Sequence, residues 1–262
     1  MKIWAVANQK GGVGKTTTAV SLAGWWAARG SRTLLIDLDP HGSLTAYFGI
    51  NPDGVEEGVY TLFQKRDTKL ASVLRATKFE RLALCPASLA LATLDRQLGA
   101  QEGMGLVIAR ALTSVADEFD HVVIDCPPML GVPMVNALAA CQHLIVPVQT
   151  EFLALQGLER MLRTLTMITR AKKEPVPFTI VPTMFDRRTR AGMQSLATLH
   201  ERYAAHLSHS YIPVDTQFRE ASRLGIPLPM LAPQSRGAQA YASLIEELAV
   251  GKTDDQSLAQ VG

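Results

Sequence analysis

Ile3-Trp4-Ala5-Val6-Ala7-Asn8-Gln9-Lys10-Gly11-Gly12-Val13-Gly14-Lys15-Thr16-Thr17 is the stretch that decides how this chain folds. Its apolar start reads as a short buried strand. The segment from Thr16 to Arg29 reads as a helix closed by Gly30, the residue type that ends helices in a left-handed turn. Glycines between the two let successive backbone N–H groups converge on an anion, and the helix N-terminus adds partial positive charge. A loop of this kind between strand and helix is a phosphate-binding loop. Lys15 is the residue to reach the outer phosphates, and the Thr16 hydroxyl the one to hold Mg²⁺. A bare glycine turn could also cap a helix, but it would not need strand, loop and Lys-Thr pair together.

The same rhythm continues outward. Apolar runs at Ile3 to Ala7, Thr33 to Ile36, Leu82 to Cys85, Val122 to Ile124, Leu144 to Val148 and Phe178 to Val181 alternate with helix-length segments. Helices are expected over Thr16 to Arg29, Gly105 to Glu118, Leu153 to Ala171, Arg190 to His206 and Ser235 to Val250. The fold class that follows is α/β, a three-layer, doubly wound, mostly parallel sheet. At 262 residues, with 47% hydrophobic and 19% charged, the chain suits one well-cored domain over residues 1–250 with a flexible tail over 251–262. Disorder, collagen and coiled coil are excluded.

Net charge is +2, so no whole-molecule field marks a polyanionic partner, and any basic patch must be local. Three cysteines, Cys85, Cys126 and Cys141, are odd in number and lack metal-type spacing, which fits a reducing cytoplasm. Met1 to Ala7 is too short an apolar run for a signal peptide. Cys126 to Thr150 carries no Asp, Glu, Lys or Arg, yet Pro127, Pro128, Gly131, Pro133 and Pro147 interrupt it. A buried helix followed by a buried strand accounts for it better than membrane insertion does.

Two further strand ends carry acids. Leu35-Ile36-Asp37-Leu38-Asp39-Pro40-His41-Gly42 places two carboxylates where open α/β sheets bind ligands. His121-Val122-Val123-Ile124-Asp125-Cys126-Pro127-Pro128 ends a hydrophobic strand in a carboxylate able to hold a Mg²⁺ shell.

Position 9, where the usual phosphate loop has glycine, is Gln9, and a second lysine, Lys10, opens the loop. Lys10-Gly11-Gly12-Val13-Gly14-Lys15-Thr16 resembles the deviant Walker A loop of the ParA/MinD family of P-loop ATPases, and the resemblance spans about residues 2–250. It implies Mg²⁺-dependent ATP hydrolysis, slow in isolation and stimulated by a partner, in a homodimer that sandwiches two ATP molecules. Lys10 would reach the nucleotide of the other subunit, Lys10, Lys15 and Asp39 would carry the chemistry, and Asp39 would orient the attacking water. Gly11, Gly12, Val13, Gly14 and Thr17 complete the loop; Thr16, Asp39 and Asp125 would face the metal. Asp37 reads as structural. Relatives often have Asp-Pro-Gln-Gly-Asn in the first switch, from which His41 and Ser43 depart, and a general-base role for His41 is the weaker reading beside a plain loop histidine.

By the same resemblance, Pro182-Thr183-Met184-Phe185-Asp186 and Tyr211-Ile212-Pro213-Val214-Asp215, each following a strand, flank the adenine, with Met184, Pro213 and Asp215 as contacts. Val214 replaces the arginine of the family's Pro-Arg-Asn. Between Arg160 and Arg190 eight basic residues face two acids, whereas residues 1–150 balance thirteen against thirteen. That local patch suits nonspecific DNA binding, with Arg188, Arg190 and Arg219 as candidate contacts, and a solvated helix face as the plain alternative. Glu246, Glu247, Asp254 and Asp255 make the C-terminal end acidic, against membrane recruitment of the MinD type.

The runs Asp39 to Gly49 and Asp215 to Ser222, with the opening Met1 to Lys10, look most like ParA-like proteins that place chemotaxis arrays at bacterial poles. That resemblance implies a polar landmark protein and a chemotaxis adaptor as partners. Plasmid or chromosome partition, on the nucleoid, is the close alternative. An iron-sulfur reductase of the nitrogenase iron protein type shares the deviant loop, but it would need two interface cysteines, for which Cys126 and Cys141 are the available pair.

Overall fold

The computed structural model describes residues 1–65, 67–98, 103–169 and 175–258. Its strands are β1 (Lys2–Val6), β2 (Thr33–Asp37), β3 (Arg75–Ala76), β4 (Leu82–Cys85), β5 (His121–Asp125), β6 (His143–Gln149) and β7 (Phe178–Thr183). They form a sheet in the order β3-β4-β2-β5-β1-β6-β7, parallel except for β3 against β4. The helices are α1 (Lys15–Ala28), α2 (Ser43–Tyr47), α3 (Val59–Gln64), α4 (Leu94–Leu98), α5 (Val107–Thr113) and α6 (Val132–Ala140). They continue with α7 (Phe152–Thr169), α8 (Arg190–Tyr203), α9 (Gln217–Leu224), α10 (Leu228–Leu231) and α11 (Arg236–Leu258).

Side chains alternate across a strand, and here each face meets its own core. Ala5, Leu34, Ile36, Val122, Ile124, Leu144 and Val146 pack on one side with α3, α5, α6, α7 and α8. Trp4, Val6, Leu35, Val123 and Ile145 pack on the other with α1 and α11. Both faces being dry explains why the strands read as continuous apolar runs. Trp4 and Tyr241 are the largest of the fully buried side chains.

All six expected strands are present. So is the cap at Gly30: its φ is +93°, its N–H reaches the Ala27 carbonyl, and the Ser31 N–H reaches that of Trp26, closing α1. The expected helix from Gly105 to Glu118 is shorter, because Thr113 and Ser114 donate their hydroxyls to carbonyls three residues back and end the spiral. No regular strand precedes Tyr211. The chain there runs beside β7 and pairs only through isolated bridges, Leu207 with Ile180 of β7 and Pro213 with Phe185 just beyond it. Beyond Val250, where the tail is expected, α11 continues to Leu258; Gly251 is the weak helix former in that stretch and no proline interrupts it.

From β1 the chain passes β5 to reach β2, while from β5 it passes β1 to reach β6. Connections therefore depart in opposite directions at the central pair, and the crevice at the C-terminal ends of β1 and β5 is where such sheets take ligands.

Candidate nucleotide site

The phosphate loop fills that crevice. Gly12 and Gly14 have φ of +74° and +90°, values that side-chain-bearing residues rarely adopt, and a Cβ built at Gly11, Gly12 or Gly14 would meet nothing within 4 Å. The loop is thus open above its backbone. Beneath, it is pinned: Val13 is fully buried and its carbonyl accepts the Thr183 hydroxyl at 2.9 Å. Asn8, also fully buried, accepts the Lys10 N–H at 3.0 Å and donates to the Pro147 carbonyl at 2.8 Å.

Lys15 opens α1 and is buried, its ammonium resting on the Lys10 carbonyl at 3.1 Å. Burial lowers its pKa, while the charges of Asp125 and Asp39 oppose that shift, so all three groups share one electrostatic site. The Thr16 hydroxyl donates to Asp125 Oδ2 at 2.6 Å. The other oxygen, Asp125 Oδ1, is buried without a hydrogen-bond partner among the described residues. An orphaned carboxylate oxygen in a dry site is costly, and burial holds the Asp125 pKa well above the ordinary range. A hydroxyl and an anionic oxygen converging at a strand end form a hard-oxygen donor set that suits Mg²⁺. The residues fit the ion, and Thr16 and Asp125 are the ones that would hold it.

The two aspartates at the end of β2 and just beyond it make different contacts. Asp37 lies level with Asp125 on the neighbouring strand and is fully buried. It accepts the N–H and hydroxyl of Thr45 at 2.8 and 2.7 Å and the Asp39 N–H at 3.1 Å. Desolvation raises its pKa to about 7 against those hydrogen bonds. These hydrogen bonds tie the end of β2 to Thr45 of α2. Asp39 stands further out, its Oδ1 accepting the backbone N–H and the ring Nδ1 of His41, each at 3.0 Å. Because a carboxylate only accepts, His41 carries its proton on Nδ1 in this pair.

Lys10 is not extended into solvent. Its ammonium pairs with Glu151 and donates to Gln149 Oε1 at 3.4 Å. Glu151, Gln149, Asn8, Thr45 and Thr183 carry no sequence signal of their own beyond standing at or near strand ends.

The remaining expected residues lie toward β7. Met184 has φ +52°, alone among the described non-glycine residues in having a positive φ, and the residue is 40% exposed. Strain of this kind clusters at ligand sites. Pro213 bridges Phe185 beside it. Asp215 gives one oxygen to the Gln217 N–H and the other to the Gly237 N–H, at 3.0 and 2.9 Å, tying α9 to α11. Arg188 lies flat against Asp186 through paired hydrogen bonds of 2.9 and 2.7 Å, while Arg190 and Arg219 are exposed with no ion-pair partner among the described residues. Arg160 and Arg163 are exposed on α7; Arg170, Lys172, Lys173 and Glu174 of the basic run lie outside the described residues. Cys126 and Cys141 are both buried, with their thiols directed to the Ile124 and Leu138 carbonyls, so neither can ligate a cluster shared between subunits. No described helix is long and apolar enough to cross a membrane.

A family model described as an AAA domain matches residues 1–177. Sporulation initiation inhibitor protein Soj of Bacillus subtilis is 36% identical over 95% of this chain and 98% of its own length. Chromosome partitioning protein ParA of Myxococcus xanthus is 32% identical over 94% and 87%. Among solved structures, cobyrinic acid a,c-diamide synthase from Mycobacterium smegmatis with bound ADP and magnesium superposes with a TM-score of 0.82 at 34% identity, covering 95% of this chain and 94% of that one. With the deviant loop, the Thr16–Asp125 pair and relatives of this similarity along nearly its whole length, the chain belongs to the ParA/MinD family of ATPases.

Proposed function

We propose that this protein is a Mg²⁺-dependent ATP hydrolase that works as a nucleotide-timed switch, pairing with a second copy when ATP is bound and separating after hydrolysis. The observation that carries the reading is the Thr16 hydroxyl on Asp125, with the second Asp125 oxygen buried and unpaired beneath an open loop ending in Lys15. Thr16 and Asp125 would hold Mg²⁺ there, and the ion would supply positive charge against the charge that develops in phosphoryl transfer. Lys15 binds the outer phosphates from a dry pocket where its charge is weakly screened. Asp39 orients a water for attack, its second oxygen left over from the His41 contacts. Lys10 completes the partner's site.

The surface around the loop supports pairing. Met129 and Leu130 follow β5 and Phe152 and Leu153 follow β6, and their exposures run from 48% to 75%. Large apolar side chains left bare beyond the two strands that flank β1 are what an intermittent interface presents. A γ-phosphate seen by both chains supplies the difference in affinity between states that a switch requires.

For cargo, we infer a partition role on DNA, supported by relatives named for chromosome partitioning and by the exposed Arg160, Arg163, Arg187 and Arg190. The test is DNA binding by the Asp39→Ala protein with Mg²⁺ and either ATP or ADP. Salt-sensitive binding to duplex of any sequence with ATP alone is expected; equal binding with ADP, or none, contradicts it. The second reading is an array of chemotaxis proteins at the cell pole, reached through a landmark protein and an adaptor, and it rests on the runs Asp39 to Gly49 and Asp215 to Ser222. A fluorescent fusion that leaves the nucleoid for the pole, in cells that segregate DNA normally, would decide for that reading.

A further inference from the structure

We propose that Glu151 is the resting partner of Lys10, a positioning residue that holds this lysine within its own chain and must release it before two chains can close. The proposal rests on the reading of Lys10 as the residue that reaches across the dimer. Both ends of the Lys10 main chain are fixed: its N–H is held by Asn8 at 3.0 Å and its carbonyl by the Lys15 ammonium at 3.1 Å. Only the side chain is free to move. It lies against α7, close enough that a Cβ on Gly157 would stand 3.2 Å from the Lys10 Cβ. Its ammonium ends on Gln149, the last residue of β6, and on Glu151, in the short connection to α7.

An ammonium shared between Glu151 and Gln149 has spent two of its three donors inside its own chain. The triphosphate of a partner's nucleotide carries more negative charge than one carboxylate, so it can win the lysine by exchange. Glu151 is not stranded when this happens. Its side chain is 40% exposed, and it immediately precedes the N-terminus of α7, where the helix dipole favours an anion. The exchange is therefore cheap and reversible. The latch should raise the concentration at which ATP-loaded chains pair and keep Lys10 off the chain's own phosphates in the meantime.

The test is sedimentation of the full chain across a concentration series, with Mg²⁺ and a non-hydrolysable ATP analogue. A half-exposed ion pair corresponds to about two- to fivefold per chain, and because both chains release a latch for each dimer, the two factors multiply to a shift of about 4- to 25-fold. Glu151→Gln and Glu151→Ala are expected to dimerise at concentrations lower by about that factor, and Glu151→Asp, which rebuilds the pair, to stay near the natural protein. Added salt should narrow the gap between the natural protein and Glu151→Gln. In a Lys10→Ala background, which is expected not to pair, Glu151→Gln should restore no pairing; pairing regained there would show that Glu151 acts independently of Lys10 and would overturn the latch. Unchanged or weaker pairing of both Glu151→Gln and Glu151→Ala, with Lys10→Ala still unable to pair, would overturn the latch alone. Normal pairing by Lys10→Ala would overturn the reading beneath it.

Discussion

The same central strands build both ends of the sheet, yet the two ends follow opposite rules. At the N-terminal end, Trp4 stacks on Trp26 and Trp26 on His121, with centroids 5.2 and 4.3 Å apart. His143 bonds Thr179 there at 2.8 Å, and burial pushes its pKa down to about 4, so it stays neutral. At the C-terminal end stand a buried lysine, two buried aspartates, an oxygen without a partner and glycines in left-handed conformations. The middle of each strand gives no hint of this difference. A protein that was selected only for stability would finish both ends alike, so the end that violates the rules of burial is the one kept for a ligand.

Substitutions that treat the ends as interchangeable should break this contrast most visibly. Lys15→Ala is expected to weaken ATP binding by more than 100-fold, about 3 kcal/mol or more, while leaving thermal unfolding nearly unchanged; undiminished affinity in a nucleotide titration would refute the phosphate role. Trp26→Ala at the other end should do the reverse, removing roughly 3–5 kcal/mol of stability with little change in ATP affinity, as denaturant unfolding and the same titration would show. Asp125→Asn should raise the stability of the nucleotide-free chain by about 1–2 kcal/mol and abolish Mg²⁺-dependent turnover, because it relieves the burial of the charge that the metal site needs. A loss of stability instead would mean that Asp125 is already well satisfied.

The last expected effect concerns pH. Asp37 has its pKa raised to about 7 in the folded chain, against roughly 3.9 when unfolded. Between those values the folded state binds more protons than the unfolded one, so stability falls as pH rises from about 4 to about 7. The unfolding midpoint of the nucleotide-free protein should drop over that window, and Asp37→Asn should flatten the slope.

How much of this was legible in the sequence depended on whether the signal was local. Six strands and the phosphate loop could be read because a strand buried on both faces must be apolar throughout, and a loop that wraps an anion must be rich in glycine. Asp125 and Asp39 were legible as acids directly after such strands. The partners of these groups were not. Lys10 and Glu151 are 141 residues apart, and only the parallel pairing of β1 with β6 brings them together. Asp215 shows why a matched motif can conceal a second role, since resemblance places it beside adenine while the fold spends both its oxygens on holding α9 to α11. The two-residue β3 is too short for any periodicity to mark it. The expected strand before Tyr211, where the chain reads Leu207-Ser208-His209-Ser210, has no apolar run to mark it and pairs with its neighbour only at isolated points.

Whether ATP, and Lys10 with it, joins two chains is read most directly from the mass in solution of the Asp39→Ala protein, measured by light scattering with Mg²⁺ and ATP and again with ADP. A dimer with ATP and a monomer with ADP are expected, and a return to monomer with ATP when Lys10→Ala is added. A monomer in every condition, or a dimer indifferent to the nucleotide and to Lys10, would contradict the switch.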